Sequence, residues 1–471
     1  MADPLSIFWQ RRSQDWLMGD RINELLDQVK QAQAELEEHR TAPSQPLKIL
    51  LAERDPIRFL ARFLVASSVP SHLFLCNPDW GLSEWQQVFA QVQPDLFWSE
   101  VTQQVTDNDS ATSSTLDTQL PPALILIPTG GSSGQVRFVM HTWDTLLASV
   151  KGFQQYFEVD AVNSLCVLPL YHVSGLMQFV RSLTSGGKLA LSSIQQLEQG
   201  DDPPIQPADW FLSLVPTQLQ RLLHGTEKPG EIGRSQWLAQ FRAILLGGAP
   251  AWDSLLIQAR QSGISLAPTY GMTETASQIA TLKPADFLAG KAGCGQVLPH
   301  AQVTICDSQG LPFASKQVGS IQIQAKSLAL GYFPHPWQEP TFSPDDLGIV
   351  DDQGYLQIVG RQSHKIITGG ENVFPAEVEA AIRSTGHVQD VAVIGVPDLL
   401  WGEVVTAVYV PNGKLILADL KDEIATTLTN FKRPKHWLEI DQLPRNAQGK
   451  INRSQLTQWV QEQLSSTATI D

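Results

Sequence analysis

Ile127-Pro128-Thr129-Gly130-Gly131-Ser132-Ser133-Gly134-Gln135-Val136-Arg137 follows the apolar run Ala123–Ile127. A short apolar run that breaks into a glycine-rich turn reads as a strand buried on both faces and ending in a loop. Its glycines let the backbone approach a ligand closely. The N–H groups, with the hydroxyls of Thr129, Ser132 and Ser133, offer many donors to phosphate oxygens, and Arg137 adds a positive charge. The loop is not a Walker A sequence, because Gln135 stands where that motif needs Lys-Ser/Thr, and it is not a dinucleotide fingerprint. Taken alone, it reads equally well as an ordinary Gly/Ser surface loop.

Outward from this loop the same texture recurs. Ser164–Leu168, Ala243–Leu246 and Ile264–Pro268 are further short apolar runs. Helical patterns over 142–157, 174–185, 216–225 and 252–262 separate them, and an amphipathic repeat over 13–38 predicts a helix ahead of them. This alternation predicts an α/β fold with a large layered N-terminal domain. Residues 107–121 and 199–208 read as polar loops. After Gly293 the texture turns to β, with predicted strands at Gln302–Asp307, Gly319–Ala325 and Gly354–Val359. Beyond Arg361 come a helix from Pro375, strands Val391–Val396 and Val404–Tyr409, a helix over 417–428 and a strand Trp437–Ile440. The expected organisation is therefore a large domain over 1–361, with a small β subdomain over 293–361, and a small α+β domain over 362–471.

Composition narrows the function. The chain has 471 residues, 42% hydrophobic and 17% charged, enough to bury a sizeable core. Its net charge of −15 argues against a general nucleic-acid binder. Four scattered cysteines form neither a disulfide framework nor a C-x-x-C pair, which fits a reduced, cytoplasmic setting. No signal peptide and no membrane span are expected.

Three more strand ends carry polar, glycine-bearing turns: Leu168-Pro-Leu-Tyr171-His172-Val-Ser174-Gly175, Leu246-Gly247-Gly248-Ala249-Pro250, and Pro268-Thr269-Tyr270-Gly271-Met272-Thr273-Glu274-Thr275. Open α/β sheets bind ligands at the carboxyl ends of their strands, so these turns predict one crevice.

With the run Asp346-Leu-Gly…Gly354-Tyr355-Leu…Gly360-Arg361, the segment Ile367-Thr-Gly369-Gly370-Glu-Asn372-Val-Phe-Pro375-Ala-Glu377 and the stretch Arg445-Asn-Ala-Gln-Gly449-Lys450, the chain resembles the acyl-adenylate-forming superfamily over roughly residues 123–455. That resemblance implies a two-step reaction. A carboxylate attacks the α-phosphate of Mg·ATP to give an acyl-AMP, and the thiol of coenzyme A then displaces AMP. It also implies roles. Thr129, Gly130, Gly131, Ser132, Ser133 and Gly134, with Arg137, would hold the β- and γ-phosphates. Gly247, Gly248, Ala249, Tyr270 and Gly271 would form the adenine slot. Glu274 would carry Mg²⁺, Thr273 would touch the α-phosphate, Asp346 would take the ribose hydroxyls with Arg361 nearby, and Lys450 would bridge the two reacting groups. The small domain would be mobile, turning at Ser363 and bringing Gly369-Gly370 to a thiol tunnel.

Two positions depart from the usual pattern. Val136-Arg137-Phe138 replaces Pro-Lys-Gly after the phosphate loop, and Ser363 stands where the superfamily usually has Asp or Lys. The acyl segments Pro169–Gly175, Val215–Leu223 and Tyr270–Gln278 look most like the branch that activates o-succinylbenzoate for menaquinone or phylloquinone biosynthesis. His172 joins the catalytic set there, and His172, Ser174, Thr269, Ser277 and Gln278 are the expected acid contacts, Gln278 through water. Lys365, Lys432, Arg433 and Lys435 form a basic rim for CoA phosphates or are solvated surface charges. Alternatives are another aryl- or acyl-CoA ligase and, with less support, a carrier-protein-loading adenylation enzyme. The expected partners are an aryl carboxylate, ATP and CoA, with a homo-oligomer left open.

Overall fold

Alternation along single strands builds the first sheet. The computed structural model of the chain describes residues 3–19, 21–39, 46–99, 120–130, 135–224, 233–313, 316–413, 415–445 and 451–467. Strands β1 (Leu47–Ala52), β2 (Ser71–Leu75), β3 (Leu96–Ser99), β4 (Leu124–Gly130) and β5 (Val136–His141), with β15 (Gly331–Tyr332) and β16 (His335–Pro336), pair in the order β16-β15-β5-β4-β2-β1-β3. Leu50, Phe74 and Leu126 face one side with Trp85 and Val88. Their neighbours Ile49, Leu51, Leu73, Leu75, Ile125 and Ile127 face the other. Successive side chains of a strand point to opposite faces, so apolar runs of this kind are stable only when helices cover both. Helices α1 (Pro4–Arg11), α2 (Ile22–His39) and α3 (Pro56–Ala66) contribute to the second of these clusters, and α4 (Leu82–Gln91) to the first.

The second sheet runs β12-β11-β10-β9-β8-β6-β7, from β6 (Asn163–Cys166), β7 (Leu189–Leu191), β8 (Trp210–Leu214), β9 (Ala243–Leu246), β10 (Leu266–Met272), β11 (Ser277–Thr281) and β12 (Gln296–Val297). Strands β7, β6, β8, β9 and β10 are mutually parallel, and β11 returns antiparallel to β10. Helices α5 (Trp143–Phe157) and α6 (Val173–Ser185) link the two sheets, since Leu146, Val150, Leu176, Phe179 and Val180 share one cluster with strand residues of both. A reciprocal cap between Thr142 and Thr145 starts α5, and Gly186, at φ 84°, closes α6.

The helix expected over 13–38 begins only at Ile22. Gly19 sits at φ 85°, and Leu17 bridges to Leu189 as an added edge residue of the second sheet. The preceding α1 ends at Arg11, which donates to the carbonyls of Ser182, Leu183 and Gly187 and so caps α6 from outside. Most of the polar stretch expected as a loop over 107–121 lies outside the described residues.

A four-stranded antiparallel sheet follows, of β13 (Ala301–Cys306), β14 (Gly319–Ala325), β17 (Asp346–Val350) and β18 (Leu356–Arg361). Residues 331–336 were expected within this β unit but join the first sheet instead, where Gly331 pairs with Met140 and Tyr332 with Val139. The remaining sheet holds β19 (Ile366–Thr368), β20 (Glu371–Val373), β21 (Val388–Asp398), β22 (Gly402–Pro411) and β23 (His436–Glu439). Alternation again divides it, with Val391, Val393 and Val405 on one face and Ala392, Ile394 and Val404 on the other beside Leu456 and Val460.

A buried polar contact helps tie the two large sheets together. His141 ends β5, is fully buried, and its Nε2 lies 2.7 Å from the carbonyl of Thr273, beyond β10. A carbonyl only accepts, so Nε2 carries the hydrogen, while Nδ1 lies 2.9 Å from Thr145 Oγ1. Burial pulls the imidazole pKa down to about 4. The unfolded chain takes up this proton near pH 6.5 and the folded chain only near 4, so the stabilisation is complete above 6.5 and lost as pH falls toward 4. His141 alone contributes about 3 kcal/mol to that loss. Urea unfolding across this window should show stability falling with acid, and His141→Gln should flatten the slope. His300 and His364, also held near 4 by burial, leave a residual dependence.

Candidate active site

Strands β9 and β10 pair in parallel, with Leu246 at the end of β9 opposite Pro268. Gly248 turns at φ 81°, and a Cβ on Gly247 would fall 2.6 Å from Thr269 Oγ1, so only glycine leaves the backbone here this close to β10. Thr269 Oγ1 lies 3.5 Å from the Leu246 carbonyl, on this β9 side. Tyr270 donates its hydroxyl to Asp346 Oδ2 at 2.7 Å, and Arg361 Nε reaches Asp346 Oδ1 at 3.1 Å. The antiparallel register of β17 and β18 sets Asp346 opposite Arg361. Asp346 is only 8% exposed, yet each oxygen has one fixed donor and a lone pair left for a hydroxyl. Burial and the neighbouring carboxylate push the Tyr270 phenol far above its usual range, so it remains a donor.

Beyond β10 the chain turns sharply. Thr273–Thr275 form one 3-10 turn, and Ala276 and Ser277 follow at φ 50° and 95°, left-handed values that are strained for residues with a side chain. Thr275 Oγ1 donates to the Ser277 carbonyl at 2.7 Å and accepts from Met272 N at 3.1 Å. Gly271 makes the turn feasible, since a Cβ there would meet the Ser277 carbonyl at 2.2 Å. Glu274, 8% exposed, accepts from Ala329 N at its carbonyl (2.8 Å) and from the Tyr332 hydroxyl at Oε1 (2.6 Å). The Arg137 guanidinium lies 4.5 Å over the Tyr332 ring, and Thr129 pairs opposite Arg137 across β4 and β5. Thr129 and Arg137 therefore stand at the same sheet end as Glu274, while Gly131, Ser132, Ser133 and Gly134 lie outside the described residues.

Among the described residues no cluster of three or more His, Cys, Asp or Glu side chains could hold a metal. A lone carboxylate such as Glu274, with phosphate oxygens and water completing the shell, suits a hydrated Mg²⁺ and not a structural metal.

His172 is the N-cap residue of α6 and Ser174 lies in its first turn, with the His172 ring 4.5 Å from that of Tyr171. At the other end of α6 stands a residue that sequence reasoning missed. Arg181 is 2% exposed, donates from Nη2 to Ser277 Oγ (2.9 Å) and Gln278 Oε1 (2.7 Å), and lies 4.4 Å over the Phe153 ring. Its Nε has no hydrogen-bond partner, and among the described residues no carboxylate offsets its burial. Burial pulls its pKa down to about 9, so it stays cationic at neutral pH. The only signal in the sequence was a single charge inside Leu176-Met-Gln-Phe-Val-Arg181-Ser-Leu183, an otherwise uncharged helical run. Gln278, the residue expected to reach the acid through water, accepts at Oε1 from Arg181 Nη2 and Ser277 Oγ, both at 2.7 Å.

In the C-terminal sheet, Gly369 and Gly370 form the exposed β19–β20 tip at φ 59° and 85°, with Gly369 N bonded to the Trp401 carbonyl. Ser363 donates from its N–H to Asp345 Oδ1 at 3.1 Å and from its hydroxyl to the same carboxylate. Three of the basic-rim residues are engaged within the fold: Lys432 with Glu377 at 2.5 Å, Arg433 with the Leu428 and Ala425 carbonyls, and Lys435 over the Trp401 ring at 3.6 Å. Lys450 lies outside the described residues.

The AMP-binding enzyme profile matches residues 61–333, and the AMP-binding enzyme C-terminal domain matches 377–450. The 2-succinylbenzoate–CoA ligase of Enterococcus faecalis is 34% identical over 329 residues, covering 69% of this chain and 67% of that protein. The enzyme of the same name from Listeria innocua is 33% identical over 342 residues, covering 70% and 68%. The solved structure of o-succinylbenzoate CoA synthetase from Bacillus subtilis with its acyl-adenylate intermediate superposes with a TM-score of 0.79 at 25% identity, covering 96% of this chain and 97% of that one. The same enzyme with ATP and magnesium gives 0.75 at 25% identity, covering 96% and 98%. The chain belongs to the AMP-binding enzyme family.

Proposed function

We propose that the protein is an ATP-dependent acid–thiol ligase that adenylates o-succinylbenzoate and passes the acyl group to coenzyme A, in the cytoplasm. The observation that carries the choice of acid is Arg181. A buried guanidinium without a carboxylate partner is costly unless a ligand supplies the counter-charge. A dicarboxylic acid does so with the carboxylate that is not activated, whereas a fatty acid or a simple benzoate has none to spare. The named relatives support the same acid.

Each side chain then has a task. Asp346, oriented by Tyr270 and Arg361, accepts from the ribose hydroxyls. The Gly247–Ala249 backbone and the Tyr270-Gly271 segment make a flat slot suited to a purine. Thr273 meets the α-phosphate. Glu274 holds Mg²⁺, which when bound neutralises charge on the phosphate oxygens. Thr129, the loop up to Gly134 and Arg137 face the departing pyrophosphate. His172 and Ser174 line the acyl side with Thr269, Ser277 and Gln278. Lys450 neutralises the charge that grows as the carboxylate attacks phosphorus. We read residues 1–361 as the large lobe, with its β subdomain over 293–361, and 362–471 as the mobile one. Rotation about Ser363 exchanges Lys450 for the Gly369-Gly370 tip, beside which the CoA thiol enters.

Purified protein given ATP, CoA and a panel of acids should release AMP with o-succinylbenzoate, and turnover of benzoates or fatty acids with none of o-succinylbenzoate would remove this assignment. Lys450→Ala should keep ATP binding by calorimetry while adenylation falls by roughly a hundredfold or more. Arg181→Met should raise KM for o-succinylbenzoate roughly ten- to a hundredfold, the loss expected for hydrogen bonds to a charged group. It should leave KM for ATP unchanged, and thermal melting should show no loss of stability, because an uncompensated buried charge has been removed.

A further inference from the structure

Glu274 belongs to the connection between β10 and β11 of the second sheet, yet what orients its carboxylate comes from the first. Tyr332 lies on β15, which pairs with β5 through Gly331–Met140 and Tyr332–Val139. Its hydroxyl donates to Glu274 Oε1 at 2.6 Å. Three residues upstream on the same segment, Ala329 N donates to the Glu274 carbonyl at 2.8 Å. The ring cannot turn freely. The Arg137 guanidinium covers it at 4.5 Å, and the Trp337 ring meets it nearly edge-on at 5.6 Å and 83°. One carboxylate oxygen of Glu274 is therefore fixed in direction by a rigid donor.

We propose that Tyr332 is a positioning residue for the metal-carrying carboxylate, with Arg137 stacked on its ring to hold the hydroxyl in line with Glu274. The inference rests on the reading of Glu274 as the Mg²⁺ carrier. A carboxylate that binds a metal through a single oxygen depends on its outer hydrogen bonds for orientation, and losing such a partner typically weakens metal binding by ten- to a hundredfold. Arg137 thereby gains a place that the phosphate loop alone does not give it, on the face of the ring that addresses the metal carboxylate.

Tyr332→Phe keeps the ring, its stacking on Arg137 and its packing against Trp337, and removes only the donor. Calorimetric binding of ATP, measured in EDTA and in excess Mg²⁺, separates the contributions without turnover. The expected result is an unchanged dissociation constant in EDTA, a roughly tenfold smaller gain in affinity on adding Mg²⁺, and a melting temperature close to wild type. An unchanged Mg²⁺-dependent gain would overturn the proposal. So would equal weakening with and without Mg²⁺, which would make Tyr332 a packing residue. Glu274→Gln, tested in parallel, distinguishes the two levels. If that variant keeps the full Mg²⁺ gain, the metal assignment itself fails and the proposal with it, whereas loss in Glu274→Gln beside wild-type behaviour in Tyr332→Phe rejects only the role of Tyr332.

Discussion

The tight turn from Met272 to Ser277 is the constraint on which the rest of the site depends. It leaves the second sheet at the end of β10, and it is held from the first by His141 on the Thr273 carbonyl and by Tyr332 on the Glu274 carboxylate. Neither sheet alone would fix it. The left-handed backbone at Ala276 and Ser277 runs against residue preference, and such strain persists only where surrounding contacts over-determine it. The two-sheet architecture thus fixes the position of this turn and of the side chains it carries.

Charge tells the same story at a smaller scale. The chain carries a net −15, while the proposed ligands are anions. The cations that matter are local and tied down: Arg181 by Ser277 and Gln278, Arg361 by Asp346, Arg137 by the Tyr332 ring. An overall acidic surface is compatible with an anion-binding crevice because a few oriented donors in a protected site outweigh distant screened charges.

Much of this was legible in the sequence, for identifiable reasons. Ala243–Leu246 and Gly319–Ala325 were read to the residue because a short apolar or alternating run bounded by turn residues has one compatible structure. The motif alone set Arg361 near Asp346, and the pairing of the two across β17 and β18 explains the spacing. What failed to show has equally physical causes. The start of α2 was misplaced because the apolar repeat continues through Trp16 and Leu17, which serve an edge bridge and not a helix face. The strands of 331–336 were not read, and the segment was counted with the β subdomain, because two-residue strands carry no period. Arg181 was passed over because a lone charge on an apolar helix normally reaches for the surface. Its burial follows from contacts with Ser277 and Gln278, which lie 96 and 97 residues away in the chain.

The most direct test of the account is a crystal structure of the protein with a stable sulfamate analogue of the o-succinylbenzoyl adenylate. The account predicts the ribose hydroxyls on Asp346, the sulfamate beside Thr273, and the free carboxylate within hydrogen-bonding reach of Arg181, directly or through one water. An adenylate bound away from the Met272–Ser277 turn, or an acyl group that leaves Arg181 without a counter-charge, would contradict it.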